Sequence, residues 1–381
     1  MWVGSVQLHN FRNYEQLTAN LTTGLNLVYG ENGRGKTNLV EGIFFLGSFE
    51  SHRSAANSNL IRAGENSATI SVTANSQKRN LVLASEINRT TSNRYFLNGN
   101  QQRRVGDVTG LVRSLIFAPE DLDLVRRDPQ DRRFFLDQAL ALLKPRLSGA
   151  RSDYDRVLKQ RNALLKSARQ TTKPDLSTLD IWDEQLVSLG SEIISARIEL
   201  VSLLQPLLSD FYKALANSEE TVEMSIQSSI ASYDEESLEA VESGKIADIP
   251  AMFMDKLVAN RARELERGIT LFGPHRDELL ILKDGLPART QSSQGEAWSL
   301  ALGLKLALGE LLRTDSATGD PILILDDVFA VLDAGRRERL VRFVSSYEQV
   351  IITSADRESA PNLEWSTQIE VLQGGLVEAQ L

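Results

Sequence analysis

Apolar residues recur at two different intervals along this chain, and the change of interval divides it. Over residues 3–9, 17–21 and 25–29 apolar side chains alternate or cluster as in short strands, and the third run leads directly into the glycine-rich segment 30–36. Leu39, Val40, Ile43, Phe44 and Leu46 then follow the spacing of a helix. Residues 68–74 and 81–87 read as further strands. The run 94–97 ends in Asn98-Gly99, a hairpin signal because both residues accept positive φ.

From about Asp131 the interval lengthens to that of helices. Ala150, Tyr154, Val157, Leu158 and Leu165 mark one helix, and Trp182, Leu186, Leu189, Ile193, Ala196, Leu200 and Leu207 mark a second. Thr171-Thr172-Lys173-Pro174-Asp175 lies between them, so the pattern predicts a short arm of two antiparallel helices. A helix around 250–267 leads back to a strand at 278–282, with Asp284-Gly285 as its turn. The remainder alternates: helix 295–312, strand 321–325, helix 336–345, strand 349–353. That is α/β patterning, with divisions near residues 130 and 265, giving segments 1–130, 131–265 and 266–381.

Composition narrows the function classes. With 381 residues, 42% of them hydrophobic, the chain can bury a sizeable core. It has no cysteine, which excludes disulfides, thiolate metal sites and cysteine nucleophiles. His9, His52 and His275 match no zinc-ligand spacing. No apolar run approaches the length of a membrane span, and the expectation is a cytoplasmic protein without a membrane partner. Net charge is -9, yet it is unevenly placed. Residues 218–243 hold eight acids and no base, namely Glu219, Glu220, Glu223, Asp234, Glu235, Glu236, Glu239 and Glu242. Residues 144–173 hold nine bases (Lys144, Arg146, Arg151, Arg156, Lys159, Arg161, Lys166, Arg169 and Lys173) against Asp153 and Asp155. An acidic total therefore does not exclude an anionic polymer as partner.

Gly30-Glu31-Asn32-Gly33-Arg34-Gly35-Lys36-Thr37 fits the phosphate loop G-x-x-x-x-G-K-[ST] and lies between a strand and a helix, the context that motif requires. Successive amides there can point at phosphate oxygens, Lys36 can reach the β- and γ-phosphates, and Thr37 can ligate magnesium. The apolar run 321–325 ends in Asp326-Asp327, which suits a buried parallel strand delivering Asp326 to the metal and Asp327 to the attacking water. Acids also end strands at ordinary turns. Ser293, Gln294 and Gly295 stand at the start of a helix, where a hydroxyl and free amides make a phosphate clamp or, more simply, a helix cap.

Taken in order, several segments resemble the RecF family: Leu8-His9-Asn10-Phe11-Arg12-Asn13-Tyr14, Gly30 through Asn38, Ser51-His52-Arg53, Pro119-Glu120-Asp121-Leu122, Arg132-Arg133-Phe134-Phe135-Leu136-Asp137, Gly273-Pro274-His275-Arg276-Asp277, Ser293-Gln294-Gly295 and Leu325-Asp326-Asp327-Val328. The resemblance covers essentially the whole chain. It implies an ABC- and SMC-type P-loop ATPase head made of 1–130 and 266–381, with 131–265 as a helical second lobe. It also implies ATP and Mg2+ as ligands, an ATP-dependent homodimer, and binding to duplex DNA and gap junctions in recombinational repair, where RecF-like proteins act with RecO and RecR to help RecA load. In its terms residues 30–37 are the Walker A loop, Asp326 and Asp327 the Walker B pair, Ser293 to Gly295 the signature motif acting on the partner's ATP, and Leu332-Asp333 the D-loop.

Glu296 and Trp298 depart from the glutamine and arginine that many family members carry after the signature glycine, and Val331 replaces the acid often found before Leu332-Asp333. A transporter ATPase would carry a glutamine after the strand 114–117 and a histidine near Thr353, and this chain has neither. Two other readings stay open at this point. One is a nucleotide-switched assembly protein whose main target is another protein; the other is a small-molecule kinase, which would not need Ser293 at a helix start. DNA contacts are expected among the bases of 144–173, with Arg103, Arg104, Arg126 and Arg127 as further candidates.

Overall fold

The alternating N-terminal runs become antiparallel strands. Strand β1 (Trp2–Phe11) pairs with β2 (Tyr14–Asn20) and with β4 (Ser67–Asn75), and β5 (Asn80–Asn88), β6 (Arg94–Leu97) and β7 (Asn100–Gln102) extend the sheet in the order β2-β1-β4-β5-β6-β7. The β6–β7 turn is the Asn98-Gly99 pair, with φ of 50° and 79°, as its sequence predicts. The computed structural model describes residues 1–53, 56–75, 80–171, 175–231, 249–314, 319–372 and 377–380. The chain divides into one compact unit of Met1–Leu122, Asp210–Glu219 and Ser293–Leu381, and a second of Asp123–Ser209 and Glu220–Ser292.

The first unit contains a second sheet, ordered β15-β14-β3-β13-β12-β8, from β3 (Gly24–Tyr29), β8 (Ser114–Phe117), β12 (Ile322–Leu325), β13 (Gln349–Ser354), β14 (Thr367–Val371) and β15 (Val377–Gln380). All of its pairings are parallel except the edge strand β15. Strands β12 and β13 are buried at every position, which is why they read as unbroken apolar runs. Helix α1 (Lys36–Ser48) shares one core with both sheets, and Leu39, Val40, Ile43, Phe45 and Leu46 are fully excluded from water. Each such side chain contributes about 1.5–3 kcal/mol. Gly42 lets α1 approach β1, since a Cβ there would sit 2.8 Å from Leu8. The one carboxylate in this buried helix, Glu41, takes a two-pronged bond from Arg12 (2.7 and 2.9 Å) and one from Ser51 (2.6 Å).

The same unit holds α8 (Gln294–Thr314), the single turn α9 (Val328–Val331) and α10 (Ala334–Val344). The second unit is mainly helical: α2 (Asp123–Arg126), α3 (Pro129–Leu143), α4 (Arg146–Arg169), α5 (Leu179–Ala216, whose end belongs to the first unit), α6 (Ile249–Arg267) and α7 (Ala288–Gln291). A small sheet accompanies them, β11-β10-β9, from β9 (Val222–Gln227), β10 (Glu278–Lys283) and β11 (Leu286–Pro287).

Helices α4 and α5 are the two expected from periodicity, but α6 packs with them through Phe253 and Leu257, so the apolar seam is shared by three helices. Arg161 stands at its centre, fully buried, donating to Asp183 (2.6 Å), Glu264 (2.7 Å) and the Thr270 hydroxyl (2.8 Å). Counting Arg161 among the bases expected to contact DNA is therefore corrected, because its charge is satisfied inside the lobe. Lys144, Arg146, Arg151 and Arg156 form ion pairs with neighbouring acids, whereas Lys159, Lys166 and Arg169 are exposed and form none among the described residues. Residues 172–174 of the expected turn, and Asp234, Glu235, Glu236, Glu239 and Glu242 of the acidic run, lie outside the described residues. Strand β9 emerges within that run because Val222 and Met224 point inward while Glu223 faces water.

Candidate functional site

Strand register determines which loops meet. Tyr29 pairs with Ser354, Leu325 with Ile352 and also with Phe117. The C-terminal ends of β3, β13, β12 and β8 are thus level, and the loops leaving them share one edge of the parallel sheet, where open α/β sheets bind ligands. Gly30 follows β3, Asp326 and Asp327 follow β12, Thr353 and Ser354 end β13, and Glu120 lies just beyond β8.

The glycine loop wraps the N-terminus of α1. Gly33 and Gly35 have φ of 83° and 118°, a region that L side chains rarely adopt, and a Cβ on Gly35 would lie 2.7 Å from both the Asn13 amide and the Tyr14 hydroxyl. Those two residues brace the loop: Tyr14 donates to the Gly35 carbonyl (2.9 Å) and Asn13 to the Arg34 carbonyl (2.9 Å). Asn38 donates to Asn13 (2.7 Å), and Arg53 to Asn38 (3.3 Å). Glu31, Asn32 and Gly33 are exposed at the tip, and Arg34 forms an ion pair with Glu31. Lys36 is buried, its ammonium turned back onto the Gly30 carbonyl (2.7 Å), the Glu31 carbonyl (3.3 Å) and the Asn32 side-chain oxygen (3.3 Å). A cation held over curled amides at a helix N-terminus is the arrangement that binds an oligophosphate.

Beside Lys36 two hydroxyls converge on one carboxylate. Asp326 Oδ1 accepts from Thr37 Oγ1 (3.2 Å) and from Thr353 Oγ1 (2.6 Å), and the Thr353 oxygen itself accepts from the Asp327 amide (2.9 Å). Burial pushes the Asp326 carboxyl up to about 6, aided by the negative charges of Asp327 and Glu120 and opposed by the two threonine bonds. Asp327, half-buried, is held at φ 52°, a conformation that costs a non-glycine residue about 1 kcal/mol or more and recurs where geometry serves function. A magnesium ion fits this donor set. One hydroxyl with one carboxylate is the sparse protein share that magnesium takes when phosphate and water complete its shell, and among the described residues no group of three or more His, Cys, Asp or Glu is placed to hold a metal ion.

The signature residues stand elsewhere in the same unit. Ser293 and Gln294 are exposed and Gly295 half-buried at the start of α8. Ser293 and Glu296 cap each other, Glu296 Oε2 accepting from the Ser293 amide (2.7 Å) and Ser293 Oγ from the Glu296 amide (3.3 Å). Glu296 thus has a local use, a carboxylate at the positive end of a helix, and Trp298 is buried. Among the described residues no hydrogen bond or ion pair joins Ser293, Gln294 or Gly295 to residues 30–38. The fold gathers Gly30 to Asn38 with Asp326 and Asp327, and leaves Ser293 to Gly295 outside that cluster.

Several other residues at this edge have no role assigned to them by the sequence motifs. Thr353 enters the sequence pattern only as the place where a histidine is absent, yet it orders both acids. The loop beyond it carries Asp356, whose carboxyl is held below the usual range chiefly by the Ser359 amide and hydroxyl, with Lys36 adding its charge. Glu120 is near enough to raise the Asp326 carboxyl, and its neighbour Asp121 anchors that loop to Lys305 (2.9 Å) and to the Ala118 amide (2.9 Å).

Comparison with known proteins adds an independent line. Residues 2–376 match the RecF/RecN/SMC N-terminal domain family. A DNA replication and repair protein RecF of Clavibacter sepedonicus is 47% identical over 390 residues, covering 100% of this chain and 95% of that protein. The corresponding protein of Leifsonia xyli subsp. xyli is 42% identical, covering 99% of this chain and 100% of its own length. Among solved structures, the recombination mediator protein RecF of the RecFOR pathway, with ATP, superposes with a TM-score of 0.88 at 27% identity over 100% of this chain and 98% of that one. An Smc head bound to the C-winged helix domain of ScpA shares the fold, with a TM-score of 0.54 at 14% identity. Over its whole length the chain belongs to the RecF family of the RecF/RecN/SMC class.

Proposed function

We propose that this protein is an ATPase of recombinational DNA repair whose ATP-bound homodimer binds DNA at junctions of single and double strand and is released by slow hydrolysis. In this reading it acts with RecO and RecR to help RecA load. The observation that carries it is the division of the phosphate-binding groups: Lys36, Thr37, Asp326 and Asp327 form one cluster, and the Ser293 clamp belongs to none of it. A γ-phosphate held by one subunit's Lys36 and the partner copy's Ser293 joins the two. Family relatives support the reading, since RecF structures contain ATP.

Chemically, Lys36 draws charge from the β–γ bridge as the bond to the γ-phosphorus breaks, and Asp327 accepts a proton from the attacking water. Asp326 and Thr37 would hold a magnesium ion, which supplies charge neutralisation at the phosphates when bound. Thr353 keeps both acids in position from behind. For DNA, the exposed Lys159, Lys166 and Arg169 of α4 are the bases left for phosphate contacts in that helix, giving binding that depends on salt and little on sequence.

Sedimentation with ATP tests the account. Lys36→Ala should stay monomeric, and Asp327→Asn should form dimers that outlast those of the parent because the water is no longer activated. An Asp327→Asn dimer decaying at the parental rate refutes the role given to Asp327. Dimers without any DNA-stimulated hydrolysis would favour the assembly-protein alternative.

A further inference from the structure

Arg336 occupies a position between two motifs that sequence spacing does not connect. Its Nε donates to Ser299 Oγ (3.0 Å), and that hydroxyl donates onward to the Gly295 carbonyl (3.1 Å). The other end of the guanidinium forms an ion pair with Asp333, whose second oxygen caps α10 by accepting from the Arg336 amide (2.9 Å). A Cβ on Gly295 would lie 2.8, 2.9 and 3.0 Å from the NH2, NH1 and Cζ atoms of Arg336. Three such similar distances mean that the planar group lies flat across the glycine. A side chain at position 295 would therefore displace the guanidinium from its bonds to Ser299 and Asp333.

Asp333 is separated from Asp327 only by the single turn α9 and the buried Leu332, and Arg337 Nε fixes the Leu332 carbonyl (2.8 Å). A short, tied segment thus runs from the acid that faces a subunit's own nucleotide to Arg336, and from Arg336 to the first turn of α8. The forked guanidinium makes the two connections from separate nitrogens held in one plane, a geometry that the point charge of an ammonium does not reproduce.

We infer that Arg336 is a positioning residue that fixes Ser293 and Gly295 relative to the Asp327–Asp333 segment, so that each subunit's own nucleotide site governs the clamp it offers to its partner. The inference rests on the split-site reading above and deepens it.

Mixed dimers separate the two. In a mixture of Lys36→Ala with Arg336→Ala, one composite site joins an intact phosphate loop to an intact signature, so ATP hydrolysis should rise well above that of either variant alone. Lys36→Ala with Ser293→Arg is the parallel mixture that tests the split site itself. Arg336→Ala by itself should hydrolyse ATP about tenfold more slowly, the equivalent of losing about 1.4 kcal/mol of transition-state stabilisation, while binding a fluorescent ATP analogue as the parent does. Arg336→Lys, which keeps the charge and most of the stem, should be impaired similarly and serves if the alanine variant fails to fold. Recovery in both mixtures supports the inference. Recovery with Ser293→Arg but not with Arg336→Ala overturns it and leaves the split site standing, because Arg336 would then be serving its own subunit's loop. Recovery in neither overturns the split site and the inference with it. A lysine variant with parental turnover also overturns it.

Discussion

Replacing Asp326 by asparagine should make the protein more stable and, at the same time, unable to use magnesium. In the folded protein this carboxyl is raised from its ordinary 3.8 to about 6, chiefly by burial and further by Asp327 and Glu120. A carboxyl that holds its proton more tightly when folded opposes folding as pH rises. Between pH 3.8 and about 6 the native state keeps the proton that the unfolded chain gives up, so stability falls across that window and the loss is complete above it. At about 1.4 kcal/mol per pH unit the interval is worth about 3 kcal/mol at pH 8, and roughly half of that at pH 5. Asparagine is close to isosteric. Its oxygen can still accept from Thr353 and Thr37, and its neutral amide removes the charge that Asp327 and Glu120 oppose. Melting of both proteins in chelator from pH 5 to pH 8 measures the effect: the variant should melt several degrees higher at pH 8, with the margin shrinking toward pH 5. With Mg2+ and ATP most of that margin should disappear at pH 8, because the parent gains about 2.7 kcal/mol from ligand at a hundredfold excess over its dissociation constant and the variant does not. A variant less stable than the parent at pH 8, or a margin that does not change with pH, refutes the reasoning.

Other expectations follow from the same geometry. Thr353→Val removes the hydroxyl that Asp326 and the Asp327 amide share, so half-maximal hydrolysis should need more Mg2+ and stability should fall by about 1–3 kcal/mol, while Thr353→Ser stays close to the parent; a magnesium titration of the two decides it. Arg161→Ala leaves the buried Glu264 without its ion-pair partner and Asp183 with Arg261 alone, and denaturant unfolding should register a loss of about 3–5 kcal/mol. Changing Lys159, Lys166 and Arg169 to glutamate should weaken DNA binding and flatten its dependence on salt by about 0.9 in log–log slope for each phosphate left without its base, while ATP hydrolysis in the absence of DNA is unchanged. An unaltered slope would remove α4 from the DNA surface.

Much of the parallel-sheet edge could be read from the chain because its residues are local in sequence. Gly30 to Thr37 announce a loop at a strand–helix junction by glycine placement alone, and an unbroken apolar run ending in Asp326-Asp327 announces a buried strand with acids at its end. The alternation of 3–9 and 68–74, the Asn98-Gly99 turn and the helical interval of 182–207 are equally local, since backbone geometry requires those side chains at those positions. Strand β9 was hidden because its outward acids resembled a charge run, and α6 as third partner of α4 and α5 was hidden because periodicity shows that a face is apolar but not what covers it.

What only the tertiary structure decided is which distant residues share an atom. Thr353 became the link between Asp326 and Asp327 through the register of β12 against β13, and Arg161 moved from surface charge to lobe interior through Glu264, far along the chain. The guanidinium of Arg336 across Gly295 depends on the packing of two helices, and nothing in either segment specifies it alone. The physical reason is the same in each case. A motif is written in backbone conformation, which a few neighbours determine, whereas charge burial and shared hydrogen bonds depend on which elements the hydrophobic core brings together.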